Sequence, residues 1–317
     1  MIHSSNGSVA YARAVAQRFV AARQSATPLE HYPGTVPADI DSAYRCQDEA
    51  IALWPDEIVG WKVGWIAEDQ QRIYGEERIV GPIFSRALRH VRLDEEVPVP
   101  VFAGGFAAVE AEYVYRLRVD APADQLTWTD DEAAAVVGSM HVGVEPASSP
   151  LATINDLGPA VVISDFGNNA GLLLGPEVHD WRHRVREGLT CETFIEGRSV
   201  GRGGTQRLPK GPLGALAFAL ARCARRGRPL RAGQYVSTGA ATGIHDILPG
   251  QSAALVFDGV GTLRCRAVAA RPDVAPQPPD PEPAPEPEVE VESEPLEDEA
   301  LTLPLFERLR AGDPEPR

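Results

Sequence analysis

VEAEYVYRL, residues 109–117, has the alternating pattern of a β-strand and carries two glutamates two positions apart. Glu110 and Glu112 project to one face of such a strand, with carboxylates about 7 Å apart by the strand rise, and the residues between and beside them project to the other. In a pocket the two carboxylates would repel each other, and a hard divalent cation would remove that conflict. A solvated strand face with two glutamates is the alternative interpretation.

A third glutamate, Glu145, follows a helical pattern at residues 131–143 and precedes Pro146, which favours an extended or turning backbone. A third carboxylate there would complete one face of an octahedral site and leave positions for water and substrate. An exposed loop glutamate explains the same letters. The candidate metal ligands are therefore Glu110, Glu112 and Glu145.

GWKVGW, residues 60–65, places Lys62 on another predicted strand between two tryptophans. Crowding by Trp61 and Trp65 would desolvate the ammonium group and lower its pKa, which would suit Lys62 to proton transfer. A lysine at a strand edge whose ammonium group reaches solvent is the alternative.

VISDFGNNAGLLLG, residues 162–175, runs from an apolar segment into three polar side chains. The carboxylate of Asp165 and the amides of Asn168 and Asn169 can orient a polar ligand or metal-bound water. A simple turn built from Asp, Gly and Asn explains the same letters.

STGAATG, residues 237–243, consists of small residues that follow a predicted strand. Its backbone groups, including those of Gly239, and the hydroxyls of Thr238 and Thr242 can bind a carboxylate. We therefore expect substrate binding here.

The chain before residue 271 predicts an α+β fold with a strand-rich second half. Helical patterns cover residues 8–24, 39–54, 131–143 and 211–227. Strands are predicted for VGWKVGWI, RALRHVRL, AAVEAEYVYRL, PAVVISD, CETFIEG, QYVSTG and SAALVFDGVGTLRCRAVAA.

Composition predicts a cytoplasmic globular protein. Apolar residues make up 44% of the chain, and no stretch approaches the roughly 18–20 apolar residues of a membrane span. The four cysteines form no CxxC pair, which predicts free thiols in a reducing compartment. No basic stripe with interleaved aromatic residues occurs, so nucleic acid is not an expected partner.

Acidic charge is concentrated at the end of the chain. Residues 271–317 carry −10 of the formal net charge of −15, from 14 acidic residues against four arginines. Few large apolar residues occur there, so we expect a disordered acidic Pro/Glu-rich tail that can contact an unknown protein. Before it we expect a helical and strand segment over residues 1–90 that packs on a β-rich catalytic core over residues 91–270.

Taken in order, these motifs resemble the fumarylacetoacetate hydrolase superfamily, and within it the 2-keto-4-pentenoate hydratase branch, over roughly residues 8–268. The resemblance is carried by AYRCQDEA, GWKVG, GPIF, VEAEYVYRL, Glu145, SDFGNNAGLLLG and RAGQYVSTGAATG. It implies a mixed β-roll, barrel-like core behind an N-terminal helical segment, and a homo-oligomer. It also implies Mg²⁺ or Mn²⁺ on Glu110, Glu112 and Glu145, with Lys62 and Asp165 in the pocket.

The activity implied by the resemblance is metal-dependent hydration of a 2-hydroxy-2,4-dienoate to a 4-hydroxy-2-oxo acid, in the catabolism of aromatic compounds. Lys62 would manage the protons, and Asp165 or its amide neighbours would position the water. Ala240 departs from the branch, which usually has a serine at this position.

Three alternatives remain. A 2-oxo-3-enedioate decarboxylase fits the same scaffold, and a second cation such as Arg72 or Arg86 in the pocket would favour it. An acylpyruvate C–C hydrolase would need a histidine near the glutamates, which FAGGFAAVEAE lacks, so that His141 or His245 would have to supply it. The third is a non-catalytic binding protein.

Overall fold

Seven α-helices and thirteen β-strands lie within residues 3–272, which are the residues that this computed structural model describes, with side chains from residue 9 onward. The helices are α1 (His3–Ser25), α2 (Ile40–Leu53), α3 (Glu68–Tyr74), α4 (Asp130–Val136), α5 (Pro159–Ser164), α6 (Trp181–Glu187) and α7 (Gly211–Arg225). The strands are β1 (Ile58–Trp65), β2 (Arg78–Phe84), β3 (Leu88–His90), β4 (Glu96–Val101), β5 (Phe106–Leu117), β6 (Val137–Ser149), β7 (Leu172–Glu177), β8 (Thr190–Ile195), β9 (Arg198–Gly204), β10 (Tyr235–Ser237), β11 (His245–Asp246), β12 (Ser252–Phe257) and β13 (Gly261–Ala269).

The strands form two sheets. The larger has β2, β1, β10, β5, β6, β7 and β3 side by side, with β11 paired to β5, and the smaller has the order β4, β13, β12, β8, β9. The larger sheet is mixed, since β1 pairs in parallel with β10 whereas β5 and β6 are antiparallel. It curls into a half-barrel. The predicted α+β class with a mixed β-roll core is confirmed.

Strand β5 gives the larger sheet two different faces. Val109, Ala111 and Tyr113 on one face are buried in the main hydrophobic core. Glu110 and Glu112 project to the other face, as the alternation predicts, and both are buried there. The glutamates therefore lie in the protein interior rather than on a solvated strand face.

The N-terminal segment is part of the same body as the strands. Strands β1 and β2, both before residue 90, belong to the sheet that contains β5 and β6. Helix α2 begins where Asp39 caps it by accepting a hydrogen bond from Ser42 N at 2.6 Å. Its buried face packs on α1 and α5.

Two secondary-structure predictions were wrong. PAVVISD forms helix α5 rather than a strand, because a short apolar run suits either state and Pro159 after Gly158 favours a helix start. The helix predicted over residues 131–143 ends at Val136, and the chain continues as β6. Pairing with β5 along its whole length overrides the local pattern, so Glu145 lies within a strand and not on a turn.

Cys46, Cys191, Cys223 and Cys265 are buried and unbridged, as predicted. Among the helices of residues 3–272, none has the length and apolarity that crossing a bilayer requires. The predicted disordered tail lies almost wholly outside the described residues, which end at Pro272.

Candidate metal centre and active site

The register between β5 and β6 brings three distant glutamates together. Glu110 lies directly opposite Glu145 in the antiparallel pair, and Glu112 is two positions further along the same face of β5. One carboxylate oxygen from each lies within 4.8 Å of the other two. Like charges directly opposite each other destabilise a sheet, so this arrangement needs a compensating cation.

These carboxylates are buried and incompletely hydrogen-bonded. Glu110, Glu112 and Glu145 are 4%, 0% and 1% exposed. Glu110 Oε1, Glu112 Oε1 and Glu145 Oε2 receive no hydrogen bond from any residue in the described part of the chain. Since buried polar atoms are normally paired, three orphaned oxygens in one place fit the ligand set of a hard divalent cation.

The electrostatics of the cluster agree with this interpretation. Burial, followed by the charge of Glu145, raises the pKa of Glu110 to about 8. Burial and the charges of Glu145 and Glu110 raise the pKa of Glu112 well above its ordinary value. Around physiological pH the three carboxyl groups therefore have too little positive charge near them to be fully ionised.

Lys62 supplies the cluster with an ammonium group. Its Nζ lies 3.3 Å from Glu145 Oε1, and the residue is 4% exposed. Burial alone would lower the pKa of Lys62, but the charges of Glu145, Glu110 and Glu112 outweigh it and raise the pKa. The lowered pKa expected from the sequence was wrong, because three carboxylates surround the ammonium group.

Two further groups hold the carboxylates in place. Asn169 Nδ2 donates to Glu145 Oε1 at 3.0 Å, and the backbone N–H of Gly239 donates to Glu112 Oε2 at 2.7 Å. Each of these two glutamates thus has one fixed oxygen and one orphaned oxygen. Outer contacts of this kind orient metal ligands.

A cavity of about 430 Å³ opens beside the cluster. Of the site residues predicted from the sequence, Lys62, Glu110, Asn168, Thr238 and Gly239 line it. Asn168 Oδ1 is buried without a hydrogen-bond donor among the described residues, and its Nδ2 donates to Asn155 Oδ1. Asn168 therefore offers an acceptor to a ligand or a water molecule.

Asp165 does not line this cavity. Its carboxylate is completely buried and pairs with Arg23, whose Nε lies 2.5 Å from Oδ1 and whose Nη2 lies 3.0 Å from Oδ2. Arg23 also donates to the backbone carbonyl of Asn169. In the structure Asp165 therefore anchors the loop that carries Asn168 and Asn169 rather than contacting a ligand.

That loop has unusual backbone geometry. Phe166, Gly167 and Asn168 all have positive φ angles, of 54°, 66° and 56°. A Cβ on Gly167 would lie 3.1 Å from Gly81 Cα and 3.5 Å from Lys62 Cε. Left-handed conformations in non-glycine residues are costly and cluster at functional sites, and here they place Gly167 beside the Lys62 side chain.

The two threonines predicted to bind substrate are engaged elsewhere. The backbone N–H and the hydroxyl of Thr238 both donate to the carbonyl of Tyr113. Thr242 Oγ1 lies 2.8 Å from Thr193 Oγ1 and 3.2 Å from His245 Nε2, outside the cavity lining. These hydroxyls hold the loop after β10, and of the two residues only Thr238 faces the cavity.

Several cavity residues were missed or misplaced by sequence reasoning. The cavity of about 430 Å³ beside the three glutamates is called the metal cavity below. Arg72 and Arg86 do not line it, whereas Arg78 and Arg207 do. Arg78 follows two glutamates and looks like a surface residue in the sequence, but it is 4% exposed with its guanidinium over Trp65. No sequence signal distinguishes it from other arginines.

The histidines proposed for a hydrolase lie away from the cluster. The ring of His141 contacts Ser139 and the carbonyl of Gly175, and that of His245 contacts Thr242. Within residues 3–272, the lining of the metal cavity contains no histidine.

Sequence comparisons do not identify the chain. No model of a known protein family matches it. A search of curated proteins finds no match either.

Solved structures do match its fold. A 4-oxalocrotonate decarboxylase from Pseudomonas putida G7, complexed with calcium and acetate, superposes with a TM-score of 0.68 at 18% identity, covering 82% of this chain and 98% of that one. Its complex with magnesium and adipate gives the same TM-score and identity over 81% and 97%. A fumarylpyruvate hydrolase from Pseudomonas aeruginosa, with Mn²⁺ and pyruvate, matches with a TM-score of 0.50 at 16% identity over 68% and 91%. At these identities the likeness establishes the fold.

Proposed function

We propose that this chain, which has the fold of the fumarylacetoacetate hydrolase superfamily, is a divalent-metal-dependent enzyme that activates a small 2-oxo acid. The observation that carries the proposal is the set of three orphaned carboxylate oxygens of Glu110, Glu112 and Glu145 beside a cavity that also contains Lys62. Three buried acids against one ammonium group serve stability poorly, because an uncompensated buried charge is expensive. A non-catalytic binding protein would have no need of them.

The donor set indicates the kind of metal. All three ligands are carboxylate oxygens, which suit Mg²⁺ or Mn²⁺. The structural neighbours named with magnesium, manganese and calcium support this assignment. When bound, such an ion supplies Lewis-acid stabilisation of the negative charge that develops on a 2-oxo acid as it enolises.

Lys62 is the proton-carrying residue of the site. Its ammonium group lines the cavity and can donate a proton to a carbon of the bound substrate. Glu145 Oε1 holds the ammonium group at the edge of the cavity. The orphaned Oδ1 of Asn168 can accept a hydrogen bond from a water molecule at the same edge.

Hydration of a 2-hydroxy-2,4-dienoate is the first candidate reaction. The C2 hydroxyl loses a proton while C5 gains one, and water then adds its oxygen to C4 and a proton to C3, giving a 4-hydroxy-2-oxo acid. Lys62→Ala should lower this rate about 10²–10⁴-fold, the usual contribution of a general acid or base. Its metal affinity should not fall, because the substitution removes a cation from the cluster. An unchanged rate would remove Lys62 from the mechanism.

Decarboxylation of a 2-oxo-3-enedioate is the second candidate, and a specific observation favours it. Arg78 and Arg207 line the same cavity as Lys62, so a second carboxylate has cationic partners there. The likeness to 4-oxalocrotonate decarboxylase supports the same reaction. The C–C hydrolase alternative has less support, since histidine is missing from the described cavity lining.

One experiment separates these reactions. Purified protein with Mg²⁺ or Mn²⁺ is given a panel of 2-hydroxydienoic, 2-oxo-enedioic and acylpyruvic acids, and loss of dienol absorbance and product mass are recorded. A gain of water identifies a hydratase, a loss of carbon dioxide a decarboxylase, and two fragments a hydrolase. Turnover of none of them, with metal bound, would refute the proposed activity.

A further inference from the structure

A second cavity, of about 220 Å³, lies on the other side of the loop that carries Asn168 and Asn169. Asn168 lines the metal cavity, whereas Phe166 and Asn169 line this second one. Since Asn169 Nδ2 also donates to Glu145, one residue separates the second cavity from the carboxylate cluster.

Two arginines at this cavity have donors to spare. Arg89 is exposed, and within residues 3–272 its guanidinium makes one hydrogen bond, from Nη1 to the carbonyl of Pro98. Arg86 uses Nη2 on the carbonyl of Pro55 and faces Asp56 through Nε at 3.4 Å, which leaves its Nη1 available. These donors can turn to a ligand without breaking the fold.

The acidic group at the cavity, Asp56, is already paired with a cation, since its Oδ2 lies 3.4 Å from Arg86 Nε. The oxygens of Asp56 accept hydrogen bonds from the hydroxyl of Ser85 and from the backbone N–H groups of Glu57 and Arg86. Arg23, which also lines the cavity, is balanced by Asp165. After these two pairings, the charge of Arg89 remains, and the cavity is suited to an anion.

Three aromatic rings form part of the apolar lining, which also contains prolines and aliphatic side chains. The ring centroids of Phe84 and Phe166 are 5.0 Å apart, and the ring of Trp54 lies 5.7 Å and 5.6 Å from them. The two contacts of Phe166 are edge-to-face and the Trp54–Phe84 contact is tilted, and aromatic rings of this kind pack favourably against a further flat ring. The cavity is smaller than the roughly 300–1,000 Å³ of sites that hold drug-sized ligands, so its ligand must be small.

We propose that this cavity is a second ligand site, distinct from the metal centre, that binds a small planar carboxylate. The flat part of the ligand packs on Trp54, Phe84 and Phe166, and its carboxylate accepts hydrogen bonds from Arg86 and Arg89. An aromatic or conjugated acid has the shape and charge that this lining recognises.

Benzoate is the probe for the test, because it combines one flat ring with one carboxylate. Full-length, metal-free protein is titrated with benzoate and binding is followed by saturation-transfer NMR. We expect a dissociation constant of about 1 mM or tighter. Benzyl alcohol, which lacks the charge, and cyclohexanecarboxylate, which lacks the flat ring, should each bind about tenfold more weakly.

Single substitutions locate the site. Arg89→Gln should weaken benzoate binding about tenfold, as should Arg86→Gln, and neither exposed side chain is needed for folding. Arg72→Gln is the matched control, since Arg72 is exposed and lines neither cavity, and binding should be unchanged. Absence of benzoate binding would overturn the proposal. Binding lost in Arg78→Gln but kept in Arg89→Gln would also overturn it, because benzoate would then occupy the metal cavity.

Discussion

The glutamates of the two sheets differ in their burial, in their cationic partners and in the direction in which their pKa values are shifted. In the smaller sheet, Glu96 lies 2.8 Å from Arg266 and Glu192 lies 2.8 Å from Arg202; Glu192 is half-buried and the other three are exposed. Hydrogen bonds from these arginines lower the pKa of both glutamates. In the larger sheet the pKa values of Glu110 and Glu112 are raised, because the residues are buried and share a single ammonium group with Glu145.

Burial without matching charge is what distinguishes the candidate site. Exposed ion pairs contribute little to stability and can be placed almost anywhere on a surface. Three buried carboxylates around one lysine cost stability unless a cation from solution joins them. The contrast supports the proposed functional centre on the β5–β6 pair without reference to any relative.

The largest expected effect on stability concerns a buried acid with a matched partner. Arg23→Gln should lower the free energy of unfolding by about 3–5 kcal/mol, because it leaves the completely buried carboxylate of Asp165 without its cation. Urea unfolding of both proteins measures the difference. A loss below about 1 kcal/mol would mean that Asp165 behaves like the surface acids of the smaller sheet.

The next effect concerns metal affinity. Glu112→Gln should weaken Mg²⁺ or Mn²⁺ binding more than about 100-fold, because even loss of an outer-shell partner costs 10–100-fold. The glutamine oxygen can still accept from Gly239 N–H, so the fold should persist. Glu192→Gln, a glutamate on a strand of the smaller sheet, is the matched control and should bind metal as the wild type does. Calorimetric titration measures all three, and equal affinities would contradict a metal centre on β5.

Metal binding should also depend on pH. Because the pKa of Glu110 is raised to about 8, a proton occupies this carboxyl group below that pH and competes with the metal. We expect the affinity for Mg²⁺ to fall at least about fivefold between pH 8 and 7 and about tenfold between pH 7 and 6, as a competing proton with this pKa requires. Titrations at pH 6, 7 and 8 test this, and a constant affinity would contradict it.

The metal-free protein should respond to pH in a related way. The raised pKa means that folded protein holds this proton more tightly than the unfolded chain, so metal-free stability falls as pH rises from the ordinary glutamate range through about 8.

The smallest effect is expected in the smaller sheet. Arg266→Gln removes an exposed partner of Glu96 and should change the free energy of unfolding by no more than about 1 kcal/mol. Its effect should shrink further in high salt. Urea unfolding checks this value, and a loss comparable with that of Arg23→Gln would remove the contrast between the two kinds of acid.

The sequence predicts the metal-ligand face of β5 because side-chain alternation in a strand is a local property. It also predicts α2 from the helical pattern over residues 39–54. The position of Glu145 depends on the register between β5 and β6, which no local pattern specifies, so its burial in a strand opposite Glu110 could not be predicted.

Long-range partners explain the remaining errors. The family resemblance implies that Asp165 lies in the pocket. Its carboxylate instead pairs with Arg23, which lies 142 positions earlier in the chain, and does not line the metal cavity. The pKa of Lys62 was expected to fall because its sequence neighbours are tryptophans, yet Trp61 points to the opposite face of β1. The carboxylates that raise this pKa come from β5 and β6, and the sequence around Lys62 does not indicate that these strands lie beside it.

The most direct test is a crystal structure grown with Mn²⁺, with anomalous diffraction used to locate the ion. We expect one strong anomalous peak at bonding distance from carboxylate oxygens of Glu110, Glu112 and Glu145, and its loss in Glu112→Gln crystals. A fully occupied Mn²⁺ elsewhere, or no peak among these three side chains, would contradict the proposed metal centre.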